Sequence, residues 1–236
     1  FCIQADNRNV PRGIALWPDS RHEATTGHRG EGVRVASLFD YTGNMLKPWA
    51  DAGYDCHIYD IQHPAGVRIR EDGMITHSVD LSACPDDGDF AFVACFPPCT
   101  HLSISGARWM AGKGLRALQE SIGYFATCIE FVEKCGAPYL IENPMSTIST
   151  YWRAPDHKFN PCDYSGYVDG AEDYTKETWL WTGNGFVMPP RSRVGDLFAM
   201  PDQTYIHHQP PGEERANIRS ATPMGFARAV FEANHR

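Results

Sequence analysis

Two short segments of the sequence pair a reactive side chain with stiff backbone: Pro97-Pro98-Cys99-Thr100 and Glu142-Asn143-Pro144. A cysteine thiolate is a strong nucleophile once its pKa is lowered. Two prolines in front of Cys99 fix φ and stiffen the loop that presents the thiol. His101 and Ser103 follow, so Cys99 reads as a loop residue rather than a core one. Glu142 supplies a carboxyl, either a general acid or a donor to a heteroaromatic ring nitrogen. The plain alternatives are a buried structural thiol and a solvated acid at a strand end. The first of these fits most of the other seven cysteines, with Cys95 and Cys128 in clearly apolar contexts.

A third group lies upstream, in Phe39-Asp40-Tyr41-Thr42-Gly43-Asn44, with Asp60 and Asp80 further along. A glycine turn after a strand lets a ligand approach the backbone, and an acid ending the next strand accepts both hydroxyls of a ribose. Together they point to an adenosine-containing cofactor. Taken alone, Thr42-Gly43-Asn44 reads equally as a simple turn.

These groups need elements that bring them together. Val33–Phe39 alternates as a strand does, and Tyr54–Tyr59 and Met74–Val79 read as two more, ended by Asp60 and Asp80. Phe90–Phe96 is apolar throughout, as a central parallel strand covered on both faces would be. Tyr139–Glu142 is a further strand, cut by Asn143-Pro144, and Trp179–Trp181 another. Short helix is expected over Met45–Ala52. Leu115, Leu118, Ile122, Phe125, Ile129 and Val132 recur at helical spacing, and Gly136 stops that helix. Pro97–Lys113 reads as a long loop, 185–218 as loops rich in Pro and Arg, and Thr222–Asn234 as a closing helix. Alternating strands and helices predict a doubly wound, mostly parallel α/β sheet whose strand ends share one rim.

Composition sets the boundaries of the reading. The chain has 236 residues, 42% hydrophobic and 21% charged, which suits one globular domain and excludes wholesale disorder. No apolar run approaches the roughly 18 residues of a membrane span. A net charge of −8 argues against coating nucleic acid by charge alone, but not against gripping it along one basic face. No leader-like segment opens the chain and the thiols sit in apolar contexts, so a reducing cytoplasm is expected. No cysteine pair has two-residue zinc spacing, and no metal is expected from His57, His63, His101, His207 and His208, which read as scattered surface or hydrogen-bonding residues. Trp152, Trp179 and Trp181 read as anchors; Trp109, after the nucleophile loop, is the one with a case for stacking on a base.

The order strand, Pro-Pro-Cys, loop, amphipathic helix, strand, Glu-Asn-Pro resembles the DNA cytosine carbon-5 methyltransferases, especially their compact bacteriophage-type members. FVACFPPCTHLSISGARW is similar to their nucleophile loop, YLIENP to their glutamate motif and SLFDYTGNMLKPWADAGYDCHIYDIQ to their cofactor motif. FNPCDYSGY, DYTKETWLW and RSATPMGFARAVFEA are similar to segments of the compact group and to the closing helix that returns to the cofactor pocket. The resemblance spans about residues 33–234.

The resemblance implies a Rossmann-like sheet of the S-adenosylmethionine-dependent methyltransferase type. The domain layout would be an arm at 1–32, a catalytic domain at 33–182, a reduced recognition region at 183–218 and a returning helix at 219–236. It implies S-adenosyl-L-methionine as donor, DNA as substrate, and cytosine flipped out of the helix. Cys99 would attack carbon 6 and Glu142 would protonate ring nitrogen 3. Phe39, Asp40, Thr42, Gly43, Asp60, Asp80 and Pro97 would line the cofactor pocket; Pro98, Ser103, Arg108, Asn143 and Lys176 would meet the substrate. With the same nucleophile, 5,10-methylenetetrahydrofolate as donor would give hydroxymethylcytosine; a catalytically inactive DNA-binding relative is the remaining alternative.

Three departures from the pattern are plain. The cofactor turn has one glycine where many members have two or three. Tyr174-Thr175-Lys176-Glu177-Thr178 stands where Gln-x-Arg-x-Arg is usual. The recognition domain is largely missing, so the chain would read short or relaxed sequences, or rely on a partner protein or an oligomer.

Overall fold

The structure, a computed structural model, describes residues 32–85, 88–103, 110–170, 172–194, 201–202 and 215–235. Residues 1–31 of the expected arm, Arg108, Trp109, His207 and His208 lie outside the described residues.

Among the described residues eight strands form one sheet. They are β1 (Arg34–Leu38), β2 (Asp55–Tyr59), β3 (Val67–Ile69), β4 (Ile75–His77), β5 (Phe92–Cys95), β6 (Tyr139–Pro144), β7 (His157–Phe159) and β8 (Thr178–Gly183). Their order is β3-β4-β2-β1-β5-β6-β8-β7. The five strands from β4 to β6 run parallel. β3 is antiparallel to β4, and β8 lies antiparallel between β6 and β7. This is the doubly wound, mostly parallel, Rossmann-like sheet expected from the alternation of strands and helices. From β1 the chain passes to β2 on one side, and later to β5 on the other. The crevice of such a sheet lies at that switch, beyond the carboxyl ends of β1 and β5.

Period-two alternation divides the core into two layers. Val35, Ile58, Phe92, Leu140 and Leu180 face one layer, with Trp49, Phe226 and Val230 from α1 (Lys47–Asp51) and α5 (Met224–Asn234). Ala36, Val93, Cys95, Ile141 and Trp181 face the other, against Phe125, Cys128 and Phe131 of α2 (Met110–Cys135). Trp49 stacks on Phe92 at 4.7 Å between ring centroids. All four residues of β5 are buried, which is why that segment carries no polar alternation. No described helix is long and apolar enough to cross a membrane.

Several expectations are corrected. Helix over Met45–Ala52 begins instead as a 3-10 turn, Asn44–Leu46, before α1. β6 is not cut at Asn143 but runs through Pro144, which pairs with Thr178 at the strand's last position, where proline is tolerated. The helix expected from Leu115 starts at Met110 and is broken at Gly114, whose φ of 80° and ψ of 167° are not helical. Arg215–Ser220, read as loop, is a short helix, α4. β3, β7, the helix α3 (Ile148–Tyr151) and the 3-10 run Pro161–Tyr167 were not foreseen.

The first part of the region expected to serve recognition is fastened to the sheet and its helices. Tyr164 and Tyr167 donate to the carbonyls of Pro189 and Pro190, at 3.3 and 2.8 Å. Asn234, in α5, accepts from the Val187 amide at 2.8 Å and donates to the Val187 carbonyl at 2.9 Å. At its other end α5 is capped by Glu172, whose two carboxylate oxygens accept from Met224 and Gly225 amides at 2.7 and 2.8 Å.

Candidate active site

The turn after β1 is shaped from inside. Asp40 is buried, and its carboxylate accepts from Ser37 Oγ at 2.9 Å, Thr42 Oγ1 at 3.1 Å and the Gly43 amide at 2.7 Å. Asp40 therefore shapes the turn from within. Gly43 is left-handed, with φ 76°, and a Cβ there would lie 2.7 Å from Met74 Sδ. Its lack of a side chain makes room for Met74. Arg70, from the β3–β4 hairpin, donates to the Thr42 carbonyl at 2.9 Å. Phe39 is also left-handed, φ 56°, an unusual state for a residue with a bulky side chain. Its ring meets the edge of Tyr124 in α2 at 5.4 Å.

The loop after β2 holds the second acid. Asp60 is 7% exposed, and Oδ1 accepts from the Gln62 amide at 2.8 Å. Burial pushes its carboxyl pKa up, against that hydrogen bond and the nearby His63. Ile61 beside it is 66% exposed, an apolar side chain held out at the rim. Asp80, after β4, is exposed and accepts from the Ser82 amide at 2.9 Å.

Ser82 and Tyr124 also line an open cleft of about 390 Å³ with Arg116, Gln119, Glu120 and Gly123. That volume is in the range of small-molecule sites. The cleft thus joins the neighbourhoods of Phe39 and Asp80 along the polar face of α2. Sequence reasoning missed this wall, although residues 116, 119, 120, 123 and 124 carry the signal: they recur at helical spacing opposite the apolar stripe.

The nucleophile loop leaves β5 next to β6, with Cys95 opposite Ile141. Asn143 is fully buried and donates from Nδ2 to the Pro97 carbonyl at 3.0 Å. Through that bond it positions the loop. Its Oδ1 is buried without a partner. Beyond Pro97, itself buried in the loop's base, and the half-buried Pro98, the Cys99 carbonyl accepts from the Leu102 and Ser103 amides at 3.0 and 2.9 Å. The Thr147 amide then bonds to the Leu102 carbonyl at 3.0 Å, and Ser103 bridges to Ser146. The loop is pinned on both sides of the thiol to the chain leaving β6.

Cys99 is half-buried, and burial pushes its thiol up; Glu142 adds to that rise, while Lys176 and Arg219 oppose it. Glu142 is pushed up by its own burial and held back by Lys176. Cys99, Glu142 and Lys176 thus lie within electrostatic reach of one another. Lys176 precedes Thr178, which pairs with Pro144 at the end of β6. Arg219, exposed on α4, was not foreseen. The chain just after it touches the donor turn, where Asn44 Nδ2 donates to the Thr222 carbonyl at 3.1 Å.

Cys56, Cys95, Cys99, Cys128 and Cys162 are free thiols, with Cys95 and Cys128 fully buried. No group of three His, Cys, Asp or Glu among the described residues is arranged to hold a metal ion.

No family model matches the chain, and no curated protein does. Among solved structures, the magnesium protoporphyrin IX methyltransferase ChlM from Synechocystis PCC 6803, with bound SAM, aligns over 65% of this chain and 71% of its own. Identity is 11% and the TM-score 0.35. The glycopeptide N-methyltransferase MtfA aligns over 53% of this chain and 51% of its own, at 17% identity and a TM-score of 0.28. Its complex with S-adenosyl-L-homocysteine aligns over 62% and 53%, at 15% identity and 0.30. The fold assignment rests on strand order and register.

Proposed function

We propose that this protein transfers a methyl group from S-adenosyl-L-methionine to carbon 5 of cytosine in DNA, through a covalent bond between Cys99 and carbon 6. One observation carries the reading. A thiol and a carboxyl from adjacent parallel strands share one partly desolvated rim, and Asn143 fastens the loop of the first to the strand of the second.

The division of labour follows from the charges. Burial pushes the Glu142 carboxyl toward its protonated form, the form that donates to ring nitrogen 3 of the base. Lys176 and Arg219 favour the thiolate of Cys99 against burial and Glu142. Cys99 Sγ forms the bond to carbon 6, and carbon 5 becomes nucleophilic. The donor supplies an electrophilic methyl on its sulfonium. Loss of the carbon-5 proton to a base then breaks the bond to Cys99, releases the thiolate and returns the nitrogen-3 proton to Glu142. The target base must be flipped out of a duplex to reach the rim.

The donor side fits an adenosine. Asp60 is a buried acid at a strand end, suited to ribose hydroxyls; Ile61 is an apolar side chain exposed beside it; the α2 cleft opens next to Phe39 and Ser82. With little recognition region, sequence choice rests on few contacts, on a partner protein or on an oligomer.

The test is a mass measurement on nucleosides from a cytosine-containing duplex, incubated with protein and each donor separately. A gain of one methyl with S-adenosyl-L-methionine is expected. A hydroxymethyl gain with methylenetetrahydrofolate would keep the nucleophile and replace the donor. No product with either donor would overturn the assignment.

A further inference from the structure

We propose that His63 is a positioning residue of the donor site: it stitches the loop after β1 to the loop after β2 and so sets donor affinity. The affinity half rests on the adenosyl-donor reading above; the stitch itself does not.

His63 is 6% exposed, an unusual burial for an imidazole in a surface loop. Its Nε2 lies 3.2 Å from the carbonyl oxygen of Asp40, so the ring is held as the tautomer that donates from Nε2. Its own amide donates to the Asp60 carbonyl at 3.3 Å. The ring stacks on Tyr41 at 5.6 Å, with 29° between planes. One residue thus bonds the backbone of both acids, 20 positions apart in sequence. Each carboxylate in turn orders its own loop, Asp40 through the Gly43 amide and Asp60 through the Gln62 amide. The turn has a single glycine, so side chains fix what backbone freedom alone would leave open. His63 is the side chain that ties this network to its neighbour.

The experiment uses the full chain and three variants, His63→Ala, His63→Phe and His63→Gln. Phe keeps a ring against Tyr41 but cannot donate; Gln keeps an N–H that reaches a carbonyl. In ligand-free protein, amide hydrogen exchange at Gly43 and Gln62 should speed up about tenfold in Ala and Phe and return toward wild type in Gln. Binding of S-adenosyl-L-homocysteine, by calorimetry, should weaken about tenfold in Ala and Phe and recover in Gln. In turnover the loss should appear in KM for the donor with kcat within about twofold, a split that general destabilisation would not give. Should His63→Ala fail to fold, His63→Phe carries the same reading. Exchange and affinity both unchanged in Phe would overturn the proposal. Wild-type protein that does not bind S-adenosyl-L-homocysteine would overturn the donor reading and the affinity half together, with exchange still reporting on the stitch.

Discussion

The loops after β1 and β5 leave adjacent parallel strands at the same rim, yet they are built in opposite ways. The donor turn is satisfied internally. Asp40's carboxylate takes three hydrogen bonds, its carbonyl meets His63, and the Thr42 carbonyl takes Arg70. The nucleophile loop ends in a half-buried thiol on which burial and Glu142 pull one way and Lys176 and Arg219 the other. Behind it, a buried amide oxygen of Asn143 has no partner. The donor side is finished before any ligand arrives. The thiol side is left electrostatically undecided, as the nucleophile proposed here would have to be.

That contrast is open to direct attack. The largest effect should come from Cys99→Ser, which removes the nucleophile and should cut product formation by more than about 10³-fold. Donor binding should stay within about twofold; turnover above that level in the variant would remove Cys99 from the reaction. Glu142→Gln should follow, with a loss of about 10²–10⁴-fold in rate and unchanged donor affinity. Asn143→Ala frees the Pro97 carbonyl and lets the loop drift, which should lower kcat by about 10²-fold. Equal effects on donor affinity and kcat would show that the two loops do not act separately.

Gly43→Ala should show the reverse pattern. The left-handed φ and Met74 Sδ at 2.7 Å make the substitution cost about 1–3 kcal/mol. Thermal melting should fall and donor affinity should weaken, with kcat at saturating donor little changed.

The smallest effect is expected from acid. His57 and His77, on β2 and β4 behind the donor loops, sit 2.9 Å apart, Nδ1 to Nε2. Burial, with help from Arg34 and His77, pulls the His57 pKa down from 6.5 to about 4. The unfolded chain therefore binds this proton more readily than the folded one. Stability should rise with pH between about 4 and 6.5, and be lost as pH falls through that window. Thermal melts across the window should show the slope, and His57→Gln should flatten it.

The sequence made the strand ends legible because they carry unlike chemistry. Apolar runs stop at Asp60, at Pro97 and at Glu142, so the rim could be read without knowing the sheet order. Cys99, Glu142 and Lys176 lie within electrostatic reach of one another. That the side chains of Asp40 and Asn143 bond backbone within the loops could not be read, since only folding shows where they point. β3 was missed because Val67, Arg68 and Ile69 are all exposed, so no face of it is marked by burial. β7 has three residues and α3 four, too few for any period to show. Arg219 was hidden for a different reason. It lies 120 positions after Cys99, and only the return of α5 to Asn44 brings it to the rim.

The place of β8 between β6 and β7 governs how the chain can assemble. β1, β2, β4, β5 and β6 pair with one another and are all made before residue 145 leaves the ribosome. β7 emerges next but has no neighbour in the sheet until β8 arrives, reverses direction and enters the slot beside β6. β7 can therefore join only with β8 or after it, and the edge of β6 stays open until β8, which ends at Gly183, is made. A chain stopped between β7 and β8 would carry its nucleophile loop on a sheet with an unprotected edge, the kind of surface that draws strands from other chains.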